Sequence, residues 1–153
     1  MRDSPRKLLT VVVLVAALGF GYYSMNAAPV LSDEDRTYQG GIEWYEDPDD
    51  AFDVAQEEDK PVLVYYWTTW CTYCQTYDEN HYQDEEIRAA MDDYVLLAIN
   101  IDDPGPGEQL AAEHDATYPP QHVIVSPSGE QRSRIGGYVE EDRFLAELRQ
   151  GTN

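Results

Sequence analysis

Two cysteines, Cys71 and Cys74, are the only thiols in the 153-residue chain, and two residues separate them. A Cys-x-x-Cys pair in a strand-to-helix setting reads as a redox couple. Two intervening residues at a helix start let the sulfurs close a disulfide. The first sulfur then lies at the helix N-terminus, where free N–H groups and the helix dipole stabilise a thiolate. The second lies a turn deeper and resolves a mixed disulfide. On this spacing Cys71 is an exposed attacking thiol of lowered pKa, and Cys74 is the resolving thiol.

Other chemistries need other partners. Zinc takes four ligands, usually two such pairs or two nearby histidines. Here there is one pair, and His81, His114 and His122 have no paired spacing. Copper carriage by Cys71, Cys74 and a distant histidine remains an alternative. So does a tethered binding module in which the bridge is structural, although so short a loop stabilises little. The redox reading calls for no bound cofactor or metal; the redox group is the cysteine pair itself.

The elements that must hold this pair are legible in outline. Residues 62–67, Val-Leu-Val-Tyr-Tyr-Trp, are a continuous apolar run, expected for a central strand buried on both faces. Helix is expected from Cys71 to about Gln83, with another helical turn or two from Asp84. Before the central strand, 42–45 reads as a short strand, and Asp47-Pro48 starts a helix that ends near Asp59. After it come a buried strand over 94–101, a loop at 104–107 and a short helix over 108–114. A strand over 121–126, a turn at 126–129, a return strand over 130–135 and a helix over 140–150 complete the domain. Strands alternating with helices, closed by a hairpin, predict an α/β fold: a mixed central sheet with helices on both faces.

The segment from Val62 to Cys74 resembles the active-site strand and helix of thioredoxin-family proteins. Its pattern is closest to the thioredoxin-like C-terminal domain of the DsbD family of transmembrane disulfide interchange proteins. Lys60-Pro61-Val62 and Asp84-Glu85-Glu86-Ile87 fit that pattern, as does Gly136-Gly137-Tyr138 before the last helix. Tyr118-Pro119-Pro120, followed by the strand from Gln121, resembles the family's cis-proline loop, with Pro120 as the cis residue. The resemblance implies that Pro119 presents its backbone to an extended substrate; lacking an N–H, it can accept there but not donate. It also implies that Trp70, Thr72 and Tyr73 shape the docking surface. Trp67 reads as core, and His122 as a packed histidine rather than a proton shuttle. Tyr65 stands where many members carry a buried acid, and Gln75 where a base is common. The acceptor of the Cys74 proton is therefore not readable. Asp78, seven residues past Cys71, is about 10.5 Å away along a helix and opposes its thiolate by only about 0.4 kcal/mol.

Charge bounds the partners and the setting. Ten Lys and Arg face thirty Asp and Glu, a formal net charge of −20. That excludes phosphate-backbone binding, so no nucleic acid is expected, and it disfavours adsorption to anionic lipid. Only Lys7 and Lys60 are lysines, a surface chemistry suited to salty media. Basic residues Arg2, Arg6 and Lys7 precede an uncharged run over 8–23. Sixteen residues of helix rise about 24 Å, slightly short of a hydrocarbon core of about 30 Å, and helix can continue to Met25. Residues 1–25 are thus expected to be a signal anchor with a cytoplasmic N-terminus, a cleaved signal being the alternative. Residues 26–41 read as an acidic tether and 42–150 as the folded domain. Beyond residue 30 the chain holds seven bases and twenty-nine acids, net −22. The expectation is a membrane-tethered, extracytoplasmic thiol–disulfide oxidoreductase acting on protein disulfides. As a reductant it would need a transmembrane electron-transfer partner; the direction of exchange is open.

Overall fold

The computed structural model describes residues 36–152. The signal anchor expected over 1–25 and most of the tether fall outside these residues. Among the described residues, no helix is long and apolar enough to cross a membrane.

Strands β1 (Arg36–Gln39) and β2 (Ile42–Tyr45) form an antiparallel hairpin. The tether reading of 26–41 is corrected over 36–39, which form a strand. Gly40 and Gly41 both have positive φ, the geometry of a two-residue hairpin turn. Gly40 is also tightly enclosed: an added Cβ would lie 2.7 Å from Tyr82 Cβ. Its carbonyl accepts hydrogen bonds from Gln83 Nε2 and Arg88 Nη2, tying the hairpin to the helical layer.

Helix α1 (Pro48–Glu58) starts as its sequence predicts: the Asp47 carboxylate caps Asp49 N–H, with Pro48 at the first turn. Asp59 ends it in the left-handed conformation. Strand β3 (Val62–Trp67) follows, with residues 62–66 fully buried. Each such side chain contributes on the order of 1.5–3 kcal/mol. Trp67 is half-buried and packs against the core cluster.

The expected helix over 71–83 divides. Helix α2 (Thr72–Glu79) stops at Asn80, a 3₁₀ turn spans His81–Gln83, and α3 (Glu85–Met91) begins anew. Asn80 leaves helical geometry at φ −121° and ψ −71°, which ends α2. The start at Asp84 is as expected: its Oδ1 accepts from both Glu86 N and Ile87 N. Strand β4 (Val95–Asn100), a 3₁₀ turn at Gly105–Gly107 and α4 (Glu108–Glu113) come next. Strands β5 (Gln121–Val125) and β6 (Gln131–Gly136) pair as a hairpin, and α5 (Glu141–Gly151) follows.

The mixed sheet has the order β1-β2-β4-β3-β5-β6, with β4 parallel and β5 antiparallel to β3. Alternation along β3 sends Leu63 and Tyr65 to a cluster with residues of α2, α3 and α5. Val62, Val64 and Tyr66 join the opposite cluster, with Ala51 and Ala55 of α1 and Leu110 of α4. Helices thus cover both faces. The registers Trp67↔Asn100, Tyr66↔Gln121 and Gln121↔Gly136 set four chain segments side by side at one end of the sheet.

Candidate active site

Cys71 lies at that end, just beyond β3. Its N–H donates to Thr68 O at 3.4 Å, closing the loop after the strand. Its backbone is extended, at φ −78° and ψ 105°, so it is the N-cap of α2. Its carbonyl accepts from Gln75 N at 3.2 Å, and its sulfur accepts from Cys74 N–H at 3.1 Å. An N-cap side chain normally supplies oxygen here; this helix uses sulfur. No acid occupies the first turn. The helix start therefore offers Cys71 a free donor and its positive end, both favouring a thiolate.

Cys71 and Cys74 form a disulfide with Cα atoms 5.2 Å apart. Their exposures are 5% and 3%. The expectation of an exposed first sulfur is corrected for this oxidised state: the Cys71 sulfur turns inward onto Cys74 and its N–H.

Three chain segments frame the disulfide. On the β4 side, Trp70 Nε1 donates to Asp102 Oδ2 at 2.6 Å. Trp70 stays 65% exposed, so it flanks the cysteines as a surface ring. Thr72 is exposed in the first turn of α2, its carbonyl accepting from Thr76 Oγ1. Tyr73 is 58% exposed and stacks on Tyr138, with ring centroids 5.3 Å apart. On the β5 side, the Pro119–Pro120 bond is cis. Gly137 N–H donates to Pro120 O at 2.8 Å, and Gln121 Nε2 donates to Tyr118 O. Tyr77 of α2 donates to Gly137 O and accepts from Val139 N–H, so the helix grips the segment that holds the cis-proline loop. Tyr118 is 53% exposed, and its hydroxyl is 3.0 Å from where a Cβ on Gly136 would lie.

Beneath the disulfide lies a buried aromatic cluster. Tyr65 stacks on His122 with centroids 4.7 Å apart, and the Tyr82 hydroxyl shares a 2.7 Å hydrogen bond with His122 Nε2. Burial, followed by His81, holds the His122 pKa down to about 3, so the ring is neutral. Its fully buried packing matches the expectation of a structural histidine. Burial, followed by the Asp78 charge, pushes the Tyr65 hydroxyl far above its usual range, so it cannot take a thiol proton.

Asp78 is the residue the sequence reading undervalued. It lies four residues after Cys74, hence on the same side of α2, one turn on. It is half-buried, and its Oδ1 is covered with no hydrogen-bond partner. Burial, followed by Glu79, raises its carboxyl to about 6. The signal was the i+4 spacing from Cys74; measuring Asp78 only against Cys71 hid it. Asp102 was also missed, because its place comes from the loop after β4, and Tyr118 and Tyr138 were read only as parts of family motifs.

Among the described residues, no group of three or more Cys, His, Asp or Glu gathers as a metal site. Each histidine has a nitrogen engaged: His81 with Val139 O, His114 with the Tyr66 hydroxyl, and His122 with Tyr82.

A helix start that offers its N–H groups to one sulfur of a closable pair is the working part of a thiol–disulfide oxidoreductase of thioredoxin-like fold. Residues 43–127 match the family described as thioredoxin-like, and the chain belongs to that family. It is 27% identical over 103 residues to the thiol:disulfide interchange protein DsbD of Ralstonia nicotianae, spanning 66% of this chain and 17% of that one. The solution structure of a thioredoxin from Thermus thermophilus superposes with a TM-score of 0.62 and 28% identity, over 70% of this chain and 84% of that one. The DsbD C-terminal domain of Neisseria meningitidis in the reduced form gives 0.54 and 25%, over 66% and 90%. The chain is thus similar to one domain of the curated relatives and spans 17% of their length.

Proposed function

We propose that this chain is a membrane-tethered, extracytoplasmic reductant of disulfides in exported proteins or apocytochromes. The observation that carries the exchange chemistry, though not its direction, is the hydrogen bond from Cys74 N–H to Cys71 Sγ at the start of α2. In the reduced protein the Cys71 thiolate attacks one sulfur of a substrate disulfide. The other substrate sulfur leaves as a thiolate and takes a proton. Cys74 then loses its proton and attacks Cys71 Sγ, releasing the second substrate thiolate. The substrate gains two electrons, and the Cys71–Cys74 dithiol becomes the disulfide.

Asp78 receives the Cys74 proton. Its place one turn along α2, its unpartnered buried oxygen and a pKa of about 6 support this role. Pro119 and Pro120 present the loop against which the substrate lies; the Pro119 carbonyl accepts from the substrate backbone. Trp70, Thr72 and Tyr73 border the entry. The redox disulfide is the only redox group the scheme needs.

The uncharged run over 8–23, with Arg2, Arg6 and Lys7 before it, supports a signal anchor with the domain outside the cytoplasm. A domain so placed needs a transmembrane partner to return electrons to Cys71 and Cys74. The test is single-turnover reduction of a protein disulfide by the reduced full-length chain, with the reduction potential of the couple measured beside it. Near −270 mV the protein is a reductant; near −120 mV it is an oxidant, and the proposed direction fails. The Cys74→Ser variant should accumulate mixed disulfides through Cys71.

A further inference from the structure

Trp70, Tyr73 and Tyr118 are the large hydrophobic residues exposed among the described residues, and all three lie at the disulfide end of the sheet. Exposed rings gathered on an otherwise acidic surface mark a place where something docks. Two of these ring groups carry a carboxylate. Trp70 holds Asp102 through its indole N–H. Tyr73 stacks on Tyr138, whose hydroxyl donates to Glu140 Oε2 at 3.3 Å. Asp103 follows Asp102, adding charge on the β4 side, and Glu141, Asp142 and Arg143 follow Glu140. The pair next to the reactive sulfur is Trp70–Asp102, because Trp70 directly precedes Cys71.

A ring whose edge is held by a carboxylate keeps its faces for other contacts. A purely apolar residue laid over Trp70 would desolvate the Asp102 carboxylate without replacing its water. A guanidinium meets both demands: it stacks on an aromatic face and donates to a carboxylate with the same planar group. We propose that this face selects disulfides whose cysteine is flanked by arginine, with the guanidinium seated on Trp70 against Asp102. The inference rests on the oxidoreductase reading and names the substrate class for the same site. The net charge of −20 attracts any cation at low ionic strength. Near 1 M salt, screening acts within about 3 Å, so the long-range pull is lost while direct contact persists.

The test uses the reduced full-length chain in detergent and three synthetic peptide disulfides, identical except for the residue after the cysteine. That residue is arginine, its neutral isostere citrulline, or glutamate. At 2 M KCl the arginine peptide should react about fivefold faster than the citrulline peptide, about twofold of it from an exposed cation–aromatic contact and the rest from the Asp102 carboxylate. The Asp102→Asn variant should bring that ratio down to about twofold. A wild-type ratio near one at 2 M KCl, or a ratio unchanged in Asp102→Asn, overturns the proposal. Binding is read separately, by titrating the Cys71→Ser/Cys74→Ser chain with the linear arginine and citrulline peptides and following tryptophan fluorescence. Absence of turnover with all three disulfides overturns the oxidoreductase reading, whereas equal affinities for the linear peptides overturn arginine selection.

Discussion

The backbone N–H of Cys74 points at the sulfur of Cys71, 3.1 Å away. Once the disulfide is reduced, that donor and the free end of α2 favour charge on Cys71. Cys71 in the Cys74→Ser variant should therefore titrate at least about one unit below the free-thiol value near 8.5. Alkylation rate against pH measures it; a midpoint at the free-thiol value counts against the site.

Asp78 carries two linked expectations. Replacing it with asparagine removes the base, so resolution of a mixed disulfide should slow by about 10²-fold at neutral pH, with formation of that mixed disulfide little changed. Stability should move the other way. The carboxyl rises from 3.8 to about 6 on folding, so between these values the folded state binds more protons than the unfolded one. The Asp78 contribution is then most favourable below pH 3.8 and is lost as pH rises through 6. Asp78→Asn should gain stability relative to wild type between pH 4 and pH 7, read by denaturant unfolding at both.

Tyr82 and His122 Nε2 share a buried hydrogen bond of 2.7 Å. Tyr82→Phe alone leaves His122 Nε2 without that partner and should cost about 1–3 kcal/mol. Adding His122→Phe removes the stranded group, so the double variant should recover part of the loss. His122 also sets an acid limit. Its folded pKa of about 3 lies below the unfolded value of 6.5, so its contribution is full above 6.5 and is lost as pH falls towards 3. The double variant should lose less stability across that window, as chemical denaturation at pH 4 and pH 7 would show.

Thirty acids against ten bases leave the chain self-repelling in dilute buffer. Its melting temperature should rise between 0.1 M and 2 M KCl as the repulsion is screened. A flat or falling melting curve would sink the reading of a salt-adapted surface.

Much of the fold follows from local pattern. The run over 62–67 has no polar break and forms the central strand, because burial on both faces is the way to remove residues 62–66 from water. Asp47-Pro48 starts α1 for reasons contained in those two residues. Local chemistry also misled. Arg36–Gln39 shows no apolar alternation, and it becomes a strand only because β2 and the Gln83–Arg88 layer hold the hairpin. The helix expected through Gln83 stops early, at Asn80, whose φ of −121° leaves helical geometry, and a 3₁₀ turn fills 81–83; the new start at Asp84 is as expected.

The sequence by itself determined which sulfurs pair. Two thiols three residues apart at a helix start leave little choice, because closure of the disulfide and activation of its sulfur depend on neighbouring backbone alone. Tertiary structure decided what surrounds them. Asp78 acquires a pKa of about 6 only when α2 packs against the sheet and water is withdrawn. Trp70 meets Asp102 only because β3 and β4 run parallel in register and bring their loops to the same end. Desolvation and long-range pairing both depend on residues distant in sequence, so no local pattern can carry them.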